Sequence, residues 1–154
     1  MMRRGATLLA ATVVLAGCPP PWHTHNFTEA FLRSAPTLNP DAAGTSRSVR
    51  VRLYLLRDDE RFLGATPAGL AAKDRALLAE ALIHDKDVTV EPGRSEPMQV
   101  DLGELPSYIK VIGIFAMFDG ERAPGEAWHV AVPVEDLDSV VIELRDRTVK
   151  ILPR

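Results

Sequence analysis

Across Val49–Leu56, Val49, Val51, Leu53 and Leu55 fall on one face and the arginines on the other. This alternation of period two is the mark of a half-buried strand. Residues 108–118 (YIKVIGIFAMF) are the most apolar stretch, rich in β-branched and aromatic side chains, and predict a central strand covered on both faces. Residues 30–37 form a first strand and residues 128–132 a late one. Residues 88–90 and 98–102 flank Pro92-Gly93 and read as a hairpin, and residues 139–144 pair with 148–152 across Arg145-Asp146-Arg147 as a second. Between residues 66 and 84 the period changes. Leu70, Leu77, Leu78, Ala81 and Leu82 recur at helical spacing, Thr66-Pro67 fits a cap and first position, and Asp74 offers a second start. One broken helix or two short ones are expected at 66–84.

These elements total about eight strands and one helical insertion, with connections too short for parallel crossovers. The predicted fold class is therefore an all-β, antiparallel sandwich with a small helical insertion, occupying residues 28–154. Between the first two strands lies a segment dense in turn formers: Leu38, Asn39, Pro40, Asp41, Ala42, Ala43, Gly44, Thr45 and Ser46. A real loop is expected there.

The pattern differs before residue 28. Arg3 and Arg4 precede an uncharged apolar run over residues 6–16 that is too short to span a bilayer and has the length of a signal-peptide core. The run ends in Leu15-Ala16-Gly17-Cys18, which resembles the bacterial lipobox. The resemblance implies that residues 1–17 are a removable signal peptide and that Cys18 becomes the N-terminus, carrying a diacylglyceryl group and an N-acyl chain. Such an anchor holds a domain on a membrane without spanning it. Pro19, Pro20 and Pro21 then favour an extended, stiff tether over residues 18–27, with Trp22 placed to rest at the interface. Pro19 stands where enteric lipoproteins retained in the inner membrane carry Asp, which implies delivery to the outer membrane.

Composition narrows the function classes. The 154 residues are 46% apolar and 25% charged, within the range of one globular domain. Loss of residues 1–17 takes Arg3 and Arg4 with it and moves the formal charge from −3 to −5. That balance excludes nucleic acid as an expected partner. Cys18 is the single cysteine, so neither an intramolecular disulfide nor a cysteine-based zinc site can form.

The chemistry-bearing residues do not assemble into a known motif. The chain holds no glycine-rich phosphate loop, no nucleophile elbow and no HExxH spacing. His23 and His25 lack a third ligand, so no metal site is expected. Asp58, Asp59 and Glu60 read as a solvated turn, His84 as a residue satisfying carbonyls at a helix end, and Trp128 as a packing residue. No cofactor and no small-molecule substrate are expected.

Several short features occur in one order: the lipobox, Leu38-Asn39-Pro40-Asp41, Val49–Leu56, Phe62, the helical segment with Leu70 and Asp74, Pro92-Gly93, the stretch from Ile112 to Phe118, and Trp128. Together they resemble the lipoprotein of type VI secretion systems, the TssJ family, also called VasD or Lip, over nearly the whole mature chain. The three prolines and Leu55 depart from the family's usual pattern. The resemblance implies a transthyretin-like fold of two four-stranded sheets. It also implies a non-enzymatic part that holds the periplasmic C-terminal region of the inner-membrane subunit TssM at the outer membrane. The loop tied to that contact in the family maps onto residues 38–48, with Arg47 adding polar contacts at its edge. A rigid sandwich can offer such a loop to a partner without disturbing its core.

Two readings from other classes compete. A ligand- or glycan-binding lipoprotein would show a deep apolar pocket beside polar groups near Trp128. A lipid-anchored hydrolase would place a nucleophile within hydrogen-bond reach of His129, supported by Glu126 or Asp119.

Overall fold

The computed structural model describes residues 28–154. The expected signal segment 1–17, Cys18 and the tether 18–27 lie outside the described residues.

Eight strands form two four-stranded sheets among the described residues. In chain order they are β1 (Thr28–Leu38), β2 (Val49–Leu56), β3 (Leu82–Val90), β4 (Met98–Gly103), β5 (Val111–Met117), β6 (His129–Pro133), β7 (Val140–Asp146) and β8 (Thr148–Pro153). One sheet has the order β4-β1-β7-β8, the other β3-β2-β5-β6. Strand β2 occupies its expected span, and its inward residues Val49, Val51, Leu53 and Leu55 are all buried. Strand β5 runs between β2 and β6 with its five middle residues buried, as its apolar sequence requires. The β7–β8 hairpin closes between Arg145 and Thr148, with Asp146 at φ 51°.

Three local expectations are corrected. Residues 82–84 belong to β3 rather than to the helix, which ends at Leu78 and is followed by a 3-10 turn over Ala79–Ala81. His84 therefore sits in a strand opposite Leu55, not at a helix end. The segments around Pro92-Gly93 do not pair with each other: β3 pairs with β2 over its whole length, and β4 pairs with β1 in the other sheet. The connection is instead fastened to β1, where Gly93 N donates to Ala35 O at 3.0 Å and Ser34 N to Arg94 O at 3.2 Å. Finally, β1 and β7 are parallel neighbours, aligned from Leu32 with Ile142. Short connections constrain only strands adjacent in sequence, and these two are separated by most of the chain.

The helical insertion lies on the outer face of the β3-β2-β5-β6 sheet. It consists of α1 (Glu60–Gly64) and α2 (Pro67–Leu78). Thr66 caps α2 by accepting from Gly69 N at 3.1 Å, and the helix breaks at Lys73 (φ −152°, ψ 41°), one residue before Asp74. The second start is therefore present. Phe62 of α1 is fully buried against the sheet, with ring centroids 5.5 Å from Tyr54 and 5.3 Å from His129.

Ionic contacts fasten α2. Arg52 on β2 donates to Asp74 at 2.7 Å and to both carboxylate oxygens of Asp87 at 2.6 and 2.9 Å. Tyr54 donates to the same Asp74 oxygen at 2.9 Å. Burial raises the Asp74 carboxyl, but the bonds from Arg52, Tyr54 and Arg75 N outweigh it and leave its pKa below the ordinary value. Arg52 lowers Asp87 likewise, and Arg33, assisted by Arg145, lowers the nearly buried Glu143. A carboxylate with a depressed folded pKa contributes stability above its unfolded pKa and loses it as pH falls through the folded value. His129 is also depressed, chiefly by burial, so its protonation opposes folding once pH drops below 6.5. Urea denaturation is therefore expected to show a shallow loss of stability below about pH 6.5. A steeper loss is expected below about pH 4. Asp74→Asn should flatten the steeper limb, and an unchanged acid limb would remove Asp74 from this account.

Candidate functional site

The loop between β1 and β2 is built from within. Leu38 is fully buried in the core and Asn39 is 2% exposed, so these two hold the loop and present no surface of their own. Asn39 takes φ 46°, a left-handed conformation that asparagine tolerates better than most residues. Its side chain accepts from Asp119 N at 3.0 Å and donates to Ser48 O and Asp119 Oδ2, each at 3.2 Å. The base of the loop is thereby tied to the segment after β5.

Asp41 organises the exposed part. Its Oδ1 accepts from Ala43 N and Thr45 N at 2.9 Å each, and its Oδ2 accepts from Arg47 at 2.9 Å. These contacts, led by Thr45 N–H and then Arg47, hold the Asp41 carboxyl below its ordinary pKa. Gly44 takes φ 80° to close the turn, and Ser46 donates to Pro36 O at 2.7 Å. Ala42, Ala43, Gly44, Thr45 and Arg47 are exposed, while Pro40, Asp41 and Ser46 are half-buried. The loop is a stiff projection with a small apolar tip and a charged base. Beside it lies a recess of about 420 Å³ that reaches Asp119, Gly120 and Arg147.

A second recess of about 470 Å³ lies under α2. Pro67, Ala68 and Ala71 form its roof, and Phe115, Met117 and Trp128 part of its floor. Trp128 is 7% exposed, packs against Phe118 with centroids 5.6 Å apart, and donates from its indole N–H to Glu126 at 3.0 Å. It is a packing residue whose edge also reaches this cleft. Sequence reading named a pocket near Trp128 only as the mark of the ligand-binding alternative and did not foresee its walls, because roof and floor are distant in the chain and meet only when the insertion folds onto the sheet.

Among the described residues, the carboxylates weighed as supports for His129 are engaged elsewhere. Its ring meets Phe62 edge to face, Glu126 is engaged by Ala123 N and Trp128, and Asp119 is bonded to Asn39. Among the described residues no group of three or more potential metal ligands converges.

Comparison with known proteins fits this architecture. The family described as type VI secretion lipoprotein, VasD, EvfM, TssJ matches residues 28–151. A chain of a solved structure described as a type VI membrane complex is 31% identical, with a TM-score of 0.71, covering 81% of this chain and 96% of that one. A chain from a structure described as the TssM C-terminal domain from EAEC is 29% identical, with a TM-score of 0.66, covering 82% and 97%. The lipoprotein TssJ1 of Pseudomonas aeruginosa is 24% identical, with a TM-score of 0.69 over 82% and 94%, a likeness that speaks for the fold alone. Comparison with curated protein sequences yields no match. Because the family match spans residues 28–151, from the start of β1 into β8, with 31% identity to a chain of a type VI membrane complex beside it, this chain belongs to the type VI secretion lipoprotein family of TssJ and VasD.

Proposed function

We propose that the protein is an attachment part and not an enzyme: lipid on Cys18 fixes it in the outer membrane, and the loop at residues 40–47 holds the periplasmic C-terminal region of a TssM-type inner-membrane subunit. The observation that carries this reading is the internally braced loop. A projection ordered before binding loses little conformational freedom when a partner engages it. The likeness to chains of a type VI membrane complex and of a TssM structure supports the choice of partner.

The topology suits a tether. The chain enters the domain at Thr28, and β1 runs eleven residues to Leu38 before the loop begins. At about 3.3 Å per residue, that separates the entry point from the loop by roughly 33 Å. Thr28 and the loop thus lie at opposite ends of β1.

The loop assignment is tested at its exposed tip. Ala42→Glu combined with Ala43→Glu leaves Asn39, Asp41 and Arg47 in place and the backbone bonds intact. Thermal unfolding should move little, since surface changes of this kind cost about 0.5 kcal/mol or less each. Affinity for the periplasmic region of the TssM-type subunit, measured by calorimetry, should fall at least tenfold. Unchanged affinity would sink the loop assignment.

A further inference from the structure

The loop is small for the task proposed above. A specific protein interface buries about 800 Å² on each partner, drawn from roughly 20–30 residues, and residues 40–47 fall well short of that. The contact must spread onto one of the surfaces beside the loop, and the two flanks differ in chemistry. On one side Pro36 abuts Gly93, followed by exposed Arg94, Ser95 and Glu96. That flank is polar. On the other side the loop is bonded through Asn39 to Asp119, and Gly120 lines both the loop recess and the cleft under α2. Arg147 joins them again, lining the loop recess while its guanidinium lies 5.3 Å over the Trp128 ring.

We infer that the cleft between α2 and the end of β5 is the apolar half of the partner surface, and that it receives a bulky apolar side chain from the same TssM-type segment that engages the loop. This inference rests on the function proposed above. The cleft has the features of an energetic centre: apolar walls, a volume of about 470 Å³ that admits a leucine- or phenylalanine-sized group, and a charged rim at Glu121 and Arg122. The small residues Ala68 and Ala71 keep it open, since larger side chains there would fill it. The loop then sets position while the cleft supplies apolar burial, and the two form one continuous surface larger than the loop alone.

The test uses the detergent-solubilised lipoprotein and the purified periplasmic region of the TssM-type subunit. Ala71→Trp fills the cleft from an exposed helix position. Ala68→Glu puts charge at its mouth, and because an acidic residue suits the first turn of a helix it should leave melting unchanged or raise it. Each is expected to weaken binding at least tenfold without lowering the melting temperature. If both bind like wild type while the Ala42/Ala43 double variant loses affinity, the cleft inference is overturned and the loop reading stands. If the cleft variants lose affinity and the loop variant does not, the partner seats in the cleft alone, and both the loop reading and the shared surface are overturned. If none of them loses affinity, both fall. Should one of the two cleft variants melt early, the other decides.

Discussion

Cys18→Ser is expected to move the protein from the membrane fraction to the soluble periplasmic fraction while leaving its thermal unfolding and its affinity for the TssM-type subunit unchanged. The domain described here begins at Thr28, ten positions after Cys18, so the substitution falls outside its strands. Under the function proposed above, membrane attachment depends on the lipid at that cysteine. Each buried methylene contributes about 0.8 kcal/mol, and stable attachment needs more than one acyl chain. A serine there receives none. Secretion should fail in that strain because the partner is still bound but nothing fixes it to the outer membrane. Fractionation and a secretion assay on the same strain check both halves. Full secretion by a soluble variant would overturn attachment as the function, and retention in the membrane would show a second anchor.

What the sequence revealed of the fold follows from how locally each signal is determined. Strand β2 was legible to the residue because alternation is local, and β5 because a strand buried on both faces must be apolar throughout. The break in α2 was legible through Thr66-Pro67 and Asp74, residues whose side chains act within one turn. Strand β3 was not. Its first residues continue the helical spacing of Leu78 and Ala81, and its middle, His84 to Asp87, is charged because β3 is an edge strand, where charge guards against pairing with another chain. The partner of each strand was legible only where a tight turn enforces it, as between β7 and β8. Pro92-Gly93 marks a turn correctly, but a turn cannot say that the chain crosses to the other sheet. The site divides in the same way. The loop was legible from its turn residues, whereas the inward roles of Leu38 and Asn39 and the whole cleft depend on contacts across most of the chain.

Phe62 is where that non-local structure is most exposed to a single change. Phe62→Ala is expected to destabilise the domain by about 3–5 kcal/mol, the usual cost of emptying a buried aromatic site. In a domain of this size that lowers the melting temperature by roughly 10–20 °C. The ring cannot be replaced by local collapse. It lies on Gly113, where even a Cβ would come within 3.0 Å of two of its atoms, and it is walled by Tyr54 and His129. Glycine at that position leaves a flat seat on the sheet that only a ring from α1 fills. The neighbouring Leu63 is 51% exposed and supplies the control, since Leu63→Ala should change stability by no more than about 0.5 kcal/mol. The effect also reaches the site, because α1 leads directly into Thr66 and Pro67 at the edge of the cleft. At a temperature where Phe62→Ala is still folded, its affinity for the TssM-type subunit should fall with the loss of that roof, while Leu63→Ala binds like wild type. Equal melting temperatures for the two variants would show that the insertion is not held through Phe62.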